Sequence, residues 1–184
     1  MLRNTETNWG AVARALHCGT GALIIGMFAY GLWMSEFPAR EDRAYHYAIH
    51  ASIGISLLAL MVARLIWRAL NPTPTPPAGS AKWEITAARL GHIGLYALVF
   101  ATLVVGWFLA GSGRRTLDYW LFGIVPMPNM LGTESPYHKP LEEAHALLAY
   151  AMIALVVVHV AAAIWHARVK RDGVLARMTR GSSA

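Results

Sequence analysis

The pattern of hydrophobic and polar positions divides the chain into four long apolar stretches joined by charged, glycine-rich or proline-rich connections. The stretches cover approximately residues 13–34, 47–67, 88–110 and 144–165. Each has about the 20 residues that an α-helix needs to cross the hydrocarbon core of a bilayer. Stretches and connections together use nearly the whole chain, which leaves no room for a separate soluble domain. The pattern therefore predicts an all-α fold, a transmembrane four-helix bundle that forms one domain over residues 1–184.

The composition agrees with a protein that lies in the lipid bilayer. Of the 184 residues, 56% are hydrophobic and 14% are charged, and the mean hydropathy is +0.41. We expect no removable signal peptide, because the first apolar stretch is too long and no small-x-small cleavage site follows it. The single cysteine, Cys18, excludes an internal disulfide. No C-x-x-C-H motif is present, so any haem is bound without a covalent link.

Charge is distributed unevenly between the two sides that alternate along such a bundle. If both termini share one side, that side holds 11 of the 16 Lys and Arg residues but only three of the ten Asp and Glu residues. The positive-inside rule then places both termini in the cytoplasm. Because the basic residues flank apolar stretches, we expect no nucleic-acid binding.

His145 and His159 lie in the fourth apolar stretch at an interval of 14 residues. Fourteen helical steps return to within about 40° of the starting direction and rise by roughly 21 Å. Both imidazoles therefore face the same way from one helix, near opposite sides of a hydrocarbon core about 30 Å thick. A histidine in lipid needs a partner, and a haem iron provides one.

Two further histidines match these depths. His17 lies near the cytoplasmic end of the first helix, at the depth of His159. His50 lies near the outer end of the second helix, at the depth of His145. The two pairs predict two six-coordinate haems stacked in the bundle core, each held by imidazoles from facing helices. With no covalent link, both haems are b-type.

The histidines also have plainer explanations and rivals. A lone histidine in a membrane span can simply hydrogen-bond to a neighbouring helix. His46 shares a helix face with His50 and is the alternative ligand there. His92 starts the third helix at the inner depth and is a further candidate ligand, whereas His138 is expected in a loop and exposed.

Small and basic residues accompany the histidines. Gly21 and Gly54 lie one turn beyond His17 and His50, where a missing side chain admits a porphyrin edge or lets membrane helices pack closely. Arg64 and Arg68 share one face at the inner end of the second helix. They bind haem propionates or lipid phosphates, or only extend to the interface. These alternatives remain open at the level of the sequence.

Charged and polar residues at the two ends of the bundle suggest where reactants enter. His166 lies seven residues after His159, about 10 Å further toward the cytoplasm. There it delivers a proton to a reduced quinone, or is an ordinary interfacial histidine. Arg114 and Arg115 form a basic spot at the outer end that attracts an anion, unless they are ordinary interfacial cations. The connection over residues 111–140 is long enough to cover the outer face as a lid.

Several of these segments resemble the bacterial cytochrome b561 family of small four-helix dihaem membrane proteins. The resemblance spans almost the whole chain, and the order and spacing of the motifs are fairly specific. The motifs are Ala15–His17, Ile49–Gly54, Met61–Leu65, Leu90–Tyr96, Ala144–Leu147, Val158–Ala163 and His166. The long third connection is poorly covered by the resemblance.

The resemblance implies ligation of two b-type haems by His17, His50, His145 and His159, and electron exchange with the quinone pool. Some members of the family are superoxide oxidases, which implies an oxidoreductase that oxidises superoxide on the outer side and reduces ubiquinone on the inner side. On that interpretation Arg114, Arg115 and Lys139 guide the anion, and His166 serves the quinone. The alternatives are an electron-transfer subunit for a separate dehydrogenase or hydrogenase, and a haem-free membrane anchor or small transporter.

Overall fold

The computed structural model describes residues 1–113, 120–132 and 134–180 and is mostly helical. Four long helices follow one another along the chain. They are α1 (Ala11–Glu36), α2 (Arg43–Ala69), α3 (Lys82–Ala110) and α4 (His138–Trp165). All four are long and apolar enough to cross a membrane. The prediction of an all-α fold with four spans is therefore confirmed.

Short elements complete the fold. A π-helical turn, His166–Lys170, continues α4, and a short helix, α5 (Val174–Thr179), follows it. Strands β1 (Trp120–Leu121) and β2 (Val125–Pro126) form an antiparallel hairpin in the connection from α3 to α4. In the turn of this hairpin the backbone N–H of Phe122 donates to the Ser52 hydroxyl of α2 at 3.0 Å. The hairpin is thereby attached to α2 two residues from His50.

The helices extend beyond the predicted apolar stretches because their polar first turns also fold. At the start of α3, the Glu84 carboxylate accepts the backbone N–H of Ala81 at 2.9 Å, as in a capping box. Helix α4 begins at His138 and has Pro140 in its first turn, where a backbone N–H is not needed. The expectation that His138 lies in a loop is therefore wrong. Its side chain is held 2.9 Å from the Ser112 hydroxyl.

The chain forms two compact units, and each of the four long helices contributes to both. Unit 1 comprises Met1–Ala22, Leu60–Ala97 and Ala154–Ala184. Unit 2 comprises Leu23–Ala59 and Leu98–Ile153. The assignment of residues 1–184 to a single domain stays a prediction.

Few side chains are buried within either unit. Met61 and Thr20 are the most completely buried side chains described in unit 1, and Leu57, Val99 and Ser52 are deeply buried in unit 2. At most 17% of the residues in the apolar window of any long helix are buried. Apolar surface of this extent is unfavourable in water and favourable in lipid. The chain is therefore a multi-pass membrane protein.

Candidate functional site

Unit 2 brings His50 of α2 and His145 of α4 together. Their ring centres lie 6.2 Å apart and their planes are inclined by 83°. A metal–imidazole bond is about 2 Å long, so two such bonds in line separate the ring centres by about 6 Å. The pair predicted from matched depths is thus within the spacing that one metal ion between two imidazoles requires.

The orientation of His145 is set by a backbone carbonyl. Its Nδ1 lies 3.1 Å from the carbonyl oxygen of Thr102 in α3. A carbonyl oxygen only accepts, so Nδ1 carries the proton and Nε2 keeps a free lone pair. Histidines that bind metals are commonly held by this kind of second hydrogen bond.

His50 has a different environment from its neighbour His46. The Nδ1 atom of His50 is buried and has no hydrogen-bond partner among the described residues. His46 accepts or donates a hydrogen bond of 2.9 Å with the Tyr30 hydroxyl and packs edge-on against Trp33 at 4.9 Å. Because the ring of His46 is already hydrogen-bonded to Tyr30, His50 is the histidine of α2 that is paired with His145.

Two glycines that the sequence analysis did not single out make room for this pair. A Cβ atom on Gly106 of α3 would lie 2.8 Å from the ring of His145, and one on Gly31 of α1 would lie 3.4 Å from the ring of His50. A Cβ on the predicted Gly54 meets nothing within 4 Å. Gly106 is therefore required by the close approach of His145, whereas a Cβ on Gly31 would only be in van der Waals contact with His50. The space beside Gly54 is open.

Unit 1 brings His17 of α1 and His159 of α4 together. Their ring centres lie 6.0 Å apart at an angle of 64°. His92 of α3 lies even closer to His159, at 5.4 Å. The predicted pair is therefore formed, and His92 is a third imidazole beside it. A Cβ on Gly21, the other predicted glycine, meets nothing within 4 Å.

Arg64 of α2 points at the histidines of unit 1. Its guanidinium donates to the Thr20 hydroxyl at 2.7 Å and to Nδ1 of His17 at 2.8 Å. The guanidinium also lies over the Tyr96 ring, 5.3 Å from its centre, and that of Arg68 lies 5.8 Å from the same centre. A cation thus contacts a predicted ligand directly, a contact that the shared face of Arg64 and Arg68 did not reveal.

His166 is held by a carboxylate close in sequence. Its Nδ1 lies 2.5 Å from the Asp172 side chain, and the other carboxylate oxygen accepts the backbone N–H of Val174 at 3.2 Å. Burial raises the pKa of Asp172, but these two hydrogen bonds, together with Coulombic interactions with His166 and Lys170, hold the pKa below its ordinary value. Asp172 is therefore an anion at neutral pH that leaves Nε2 of His166 free. The sequence analysis missed Asp172.

The outer cations are only partly described. Lys139 is exposed and pairs with Glu142 at 3.1 Å and Glu143 at 3.8 Å. These two carboxylates balance its charge, which weakens its attraction for an anion. Arg114 and Arg115 lie outside the described residues.

Known proteins are similar to this chain over most of its length. The model of the family described as "Prokaryotic cytochrome b561" matches residues 8–181. "Cytochrome b561 homolog 2" of Escherichia coli (strain K12) is 32% identical over 183 residues, which cover 98% of this chain and 96% of that protein. "Probable superoxide oxidase CybB" of Yersinia pestis is 29% identical over 142 residues, which cover 77% and 79%. "Cytochrome b561 homolog 1" of Escherichia coli (strain K12) is 30% identical over 131 residues, which cover 70% and 72%.

Proposed function

Because this chain belongs to the prokaryotic cytochrome b561 family of membrane electron-transfer proteins, which bind b-type haem, we propose that it holds two such haems and carries electrons across the inner membrane. We further propose that it oxidises superoxide and reduces ubiquinone. The observation that carries the proposal is the presence of one histidine pair in each unit, both at about 6 Å between ring centres. When bound, the haems supply one-electron redox chemistry that no side chain here provides.

The residues of unit 2 fit a b-type haem. His50 and His145 would hold it through Nε2, because Nδ1 of His145 donates to Thr102. The 6.2 Å between the two ring centres and the open space beside Gly54 support a haem at this pair.

The residues of unit 1 fit a second haem with one rearrangement. His17 and His159 would hold it, with the space beside Gly21 open. Arg64 donates to Nδ1 of His17, which puts the proton of a neutral ring on Nε2, the atom needed for ligation. A guanidinium that turns to a haem propionate would release His17 and form a stronger, charge-assisted bidentate pair. This supports the predicted role of Arg64, and that of Arg68 beside it.

The net reaction balances with two superoxide ions for each quinone. Each superoxide loses one electron and becomes O2, and ubiquinone takes up two electrons and two protons to become ubiquinol. His166 is placed to transfer a proton through Nε2, because its Nδ1 is hydrogen-bonded to Asp172. On the donor side Arg114, Arg115 and Lys139 would attract the anion, with Lys139 contributing least because two glutamates already balance its charge.

The orientation belongs to the same proposal. The basic excess near the termini and in the connection from α2 to α3 favours a cytoplasmic location for both termini. In that orientation quinone reduction draws its protons from the cytoplasm, and superoxide is oxidised at the opposite surface.

The test is superoxide decay catalysed by the purified holoprotein with and without ubiquinone. We expect decay faster than spontaneous dismutation that depends on quinone and yields one ubiquinol for two superoxide ions. A coloured protein with two haems that leaves the decay rate unchanged would contradict superoxide oxidation and favour a carrier for a separate dehydrogenase. A colourless protein from haem-replete cells would contradict both.

A further inference from the structure

The amino-terminal segment of unit 1 forms a polar cavity that the proposed electron transfer does not use. The cavity has a volume of about 270 Å³ and is lined by three arginines, Arg3, Arg14 and Arg180, together with Thr5, Thr7 and Trp9. Within the part of the chain that the structure describes, no carboxylate lines the cavity. The volume is slightly below that of typical small-molecule pockets, which span about 300–1,000 Å³.

The segment that forms the cavity is folded back on the start of α1. The backbone N–H of Ala11 donates to the carbonyl of Met1 at 3.0 Å, and that of Val12 donates to the carbonyl of Leu2 at 3.4 Å. At Gly10 a Cβ would lie 2.3 Å from the Leu2 carbonyl oxygen, so only glycine fits there. These contacts also occupy the first N–H groups of the helix, which leaves the arginines as the anion-binding groups.

A buried asparagine and several backbone hydrogen bonds hold the amino-terminal segment in this conformation. Asn4 is only 8% exposed; its side chain accepts the Gly10 N–H at 2.9 Å and donates to the Pro72 carbonyl at 3.0 Å. The backbone N–H of Thr75 donates to the Glu6 carbonyl at 2.8 Å, and Arg177 of α5 donates to the Thr75 carbonyl at 2.8 Å. The segment, the proline-rich connection and α5 are therefore joined, and the cavity walls are held in place.

Three arginines line one small cavity and concentrate positive charge there, which favours the binding of an anion. Arginine is the residue that best binds phosphate, because its planar donors bond two oxygens at once. Threonine hydroxyls supply neutral donors for the remaining oxygens. Trp9 lies at the edge of a helix that enters the membrane, as interfacial aromatics do.

We propose that this cavity binds a phosphate group, either the headgroup of an anionic lipid or a free phosphate ion. The assignment is independent of the electron-transfer function. Its chemistry requires two or more charge-assisted bonds from arginine, each of which strengthens binding about tenfold or more.

The experiment uses the full-length holoprotein in a neutral, phosphate-free detergent. Thermal unfolding is followed by tryptophan fluorescence during titration with inorganic phosphate, with short-chain phosphatidylglycerol, and with short-chain diacylglycerol as the phosphate-free lipid. We expect saturable stabilisation by phosphate or by phosphatidylglycerol and none by diacylglycerol. Stabilisation by phosphatidylglycerol alone identifies a lipid headgroup, and stabilisation by phosphate alone identifies a soluble ligand.

The double variant Arg3→Gln/Arg180→Gln tests the site directly. The half-saturating concentration should rise about 100-fold, while the matched variant Arg89→Gln/Arg168→Gln, which removes two exposed cations outside the cavity, should bind as the parent does. Without ligand the first variant should melt no lower than the parent, because less positive charge is then concentrated at the cavity. If it fails to fold, Arg3→Lys/Arg180→Lys keeps the charge and should weaken binding about tenfold. Equal binding by parent and cavity variant, or no stabilisation by either phosphate ligand, overturns the proposal.

Discussion

The histidine pairs of the two units have similar spacing but different neighbours. In unit 2, His145 donates to the neutral carbonyl of Thr102, and Nδ1 of His50 has no hydrogen-bond partner among the described residues. In unit 1, His17 accepts from the cationic Arg64, and His92 stands beside His159 as a third imidazole. A backbone carbonyl makes an imidazole more basic, whereas a nearby cation favours the reduced form of a bound iron. We therefore expect the two sites to differ in how firmly their histidines hold a haem and in the reduction potential of that haem.

The largest expected effect is on haem content, and it distinguishes the predicted ligand His17 of unit 1 from its neighbour His92. We expect His17→Ala to remove one haem per chain and His92→Ala to leave both, since α1 and α4 supply the predicted pair. The measurement is the pyridine haemochrome content per chain of each purified variant. If His92→Ala loses a haem while His17→Ala keeps two, His92 is the ligand and the assignment of His17 is wrong.

A smaller loss should follow when the glycine beside His145 is enlarged. In Gly106→Val the first added carbon would lie 2.8 Å from the imidazole, which must move from its position against Thr102. We expect at least half of the unit 2 haem to be lost and the unit 1 haem to be retained. Gly26→Val is the matched control, because a Cβ there meets nothing within 4 Å. Equal haem content in the two variants would show that the close approach of Gly106 to His145 is not needed for haem binding.

The charge beside unit 1 is tested by Arg64→Met. Loss of the cation should lower the midpoint potential of one haem by roughly 70 mV, the effect of a unit charge about 10 Å away at an effective dielectric constant of about 20. The other haem should be unaffected. Arg68→Met should lower the same potential by less, since Arg68 lies over the same Tyr96 ring but no hydrogen bond joins it to a histidine among the described residues. A redox titration in which both variants shift the same potential equally would contradict the special role of Arg64.

The smallest expected effect concerns the carboxylate that holds His166. Asp172→Asn removes the carboxylate that holds Nδ1 of His166, so we expect quinone reduction by the pre-reduced protein to slow about fivefold. The potentials should not change, and Asp172→Glu should recover most of the rate. The rate is measured by stopped-flow reoxidation of the reduced haems with ubiquinone. An unchanged rate in Asp172→Asn would exclude the carboxylate from proton delivery.

The spans and the histidine proximities could be predicted because both follow from helical periodicity. An interval of 14 residues fixes the direction and the depth of His145 and His159 on one helix, and depth then selects His17 and His50. The fold class, the four spans and the family resemblance are confirmed, whereas ligation itself stays a prediction. The predicted helices were shorter than the observed ones, because hydropathy detects the apolar stretch of a helix but not a polar first turn such as that of α4 at His138.

Other features depend on how separate helices approach one another. The closeness of Gly106 and Gly31 to the histidine rings is set by packing across helices, and a glycine in a membrane helix has no signature that distinguishes this from ordinary packing. The contact from Arg64 to His17 depends on a side-chain rotamer. The hydrogen bond between His166 and Asp172 needs a π-helical turn followed by a residue in the left-handed conformation, Arg171. No local sequence pattern predicts that combination.

The central claim is that each unit holds one b-type haem between two histidines. Its most direct measurement is the haem content of the purified parent protein, from the pyridine haemochrome and quantitative amino-acid analysis, alongside His145→Ala and His159→Ala. We predict two haems per chain in the parent and one in each variant. A parent with one haem or none, or variants with the same content as the parent, would contradict the claim.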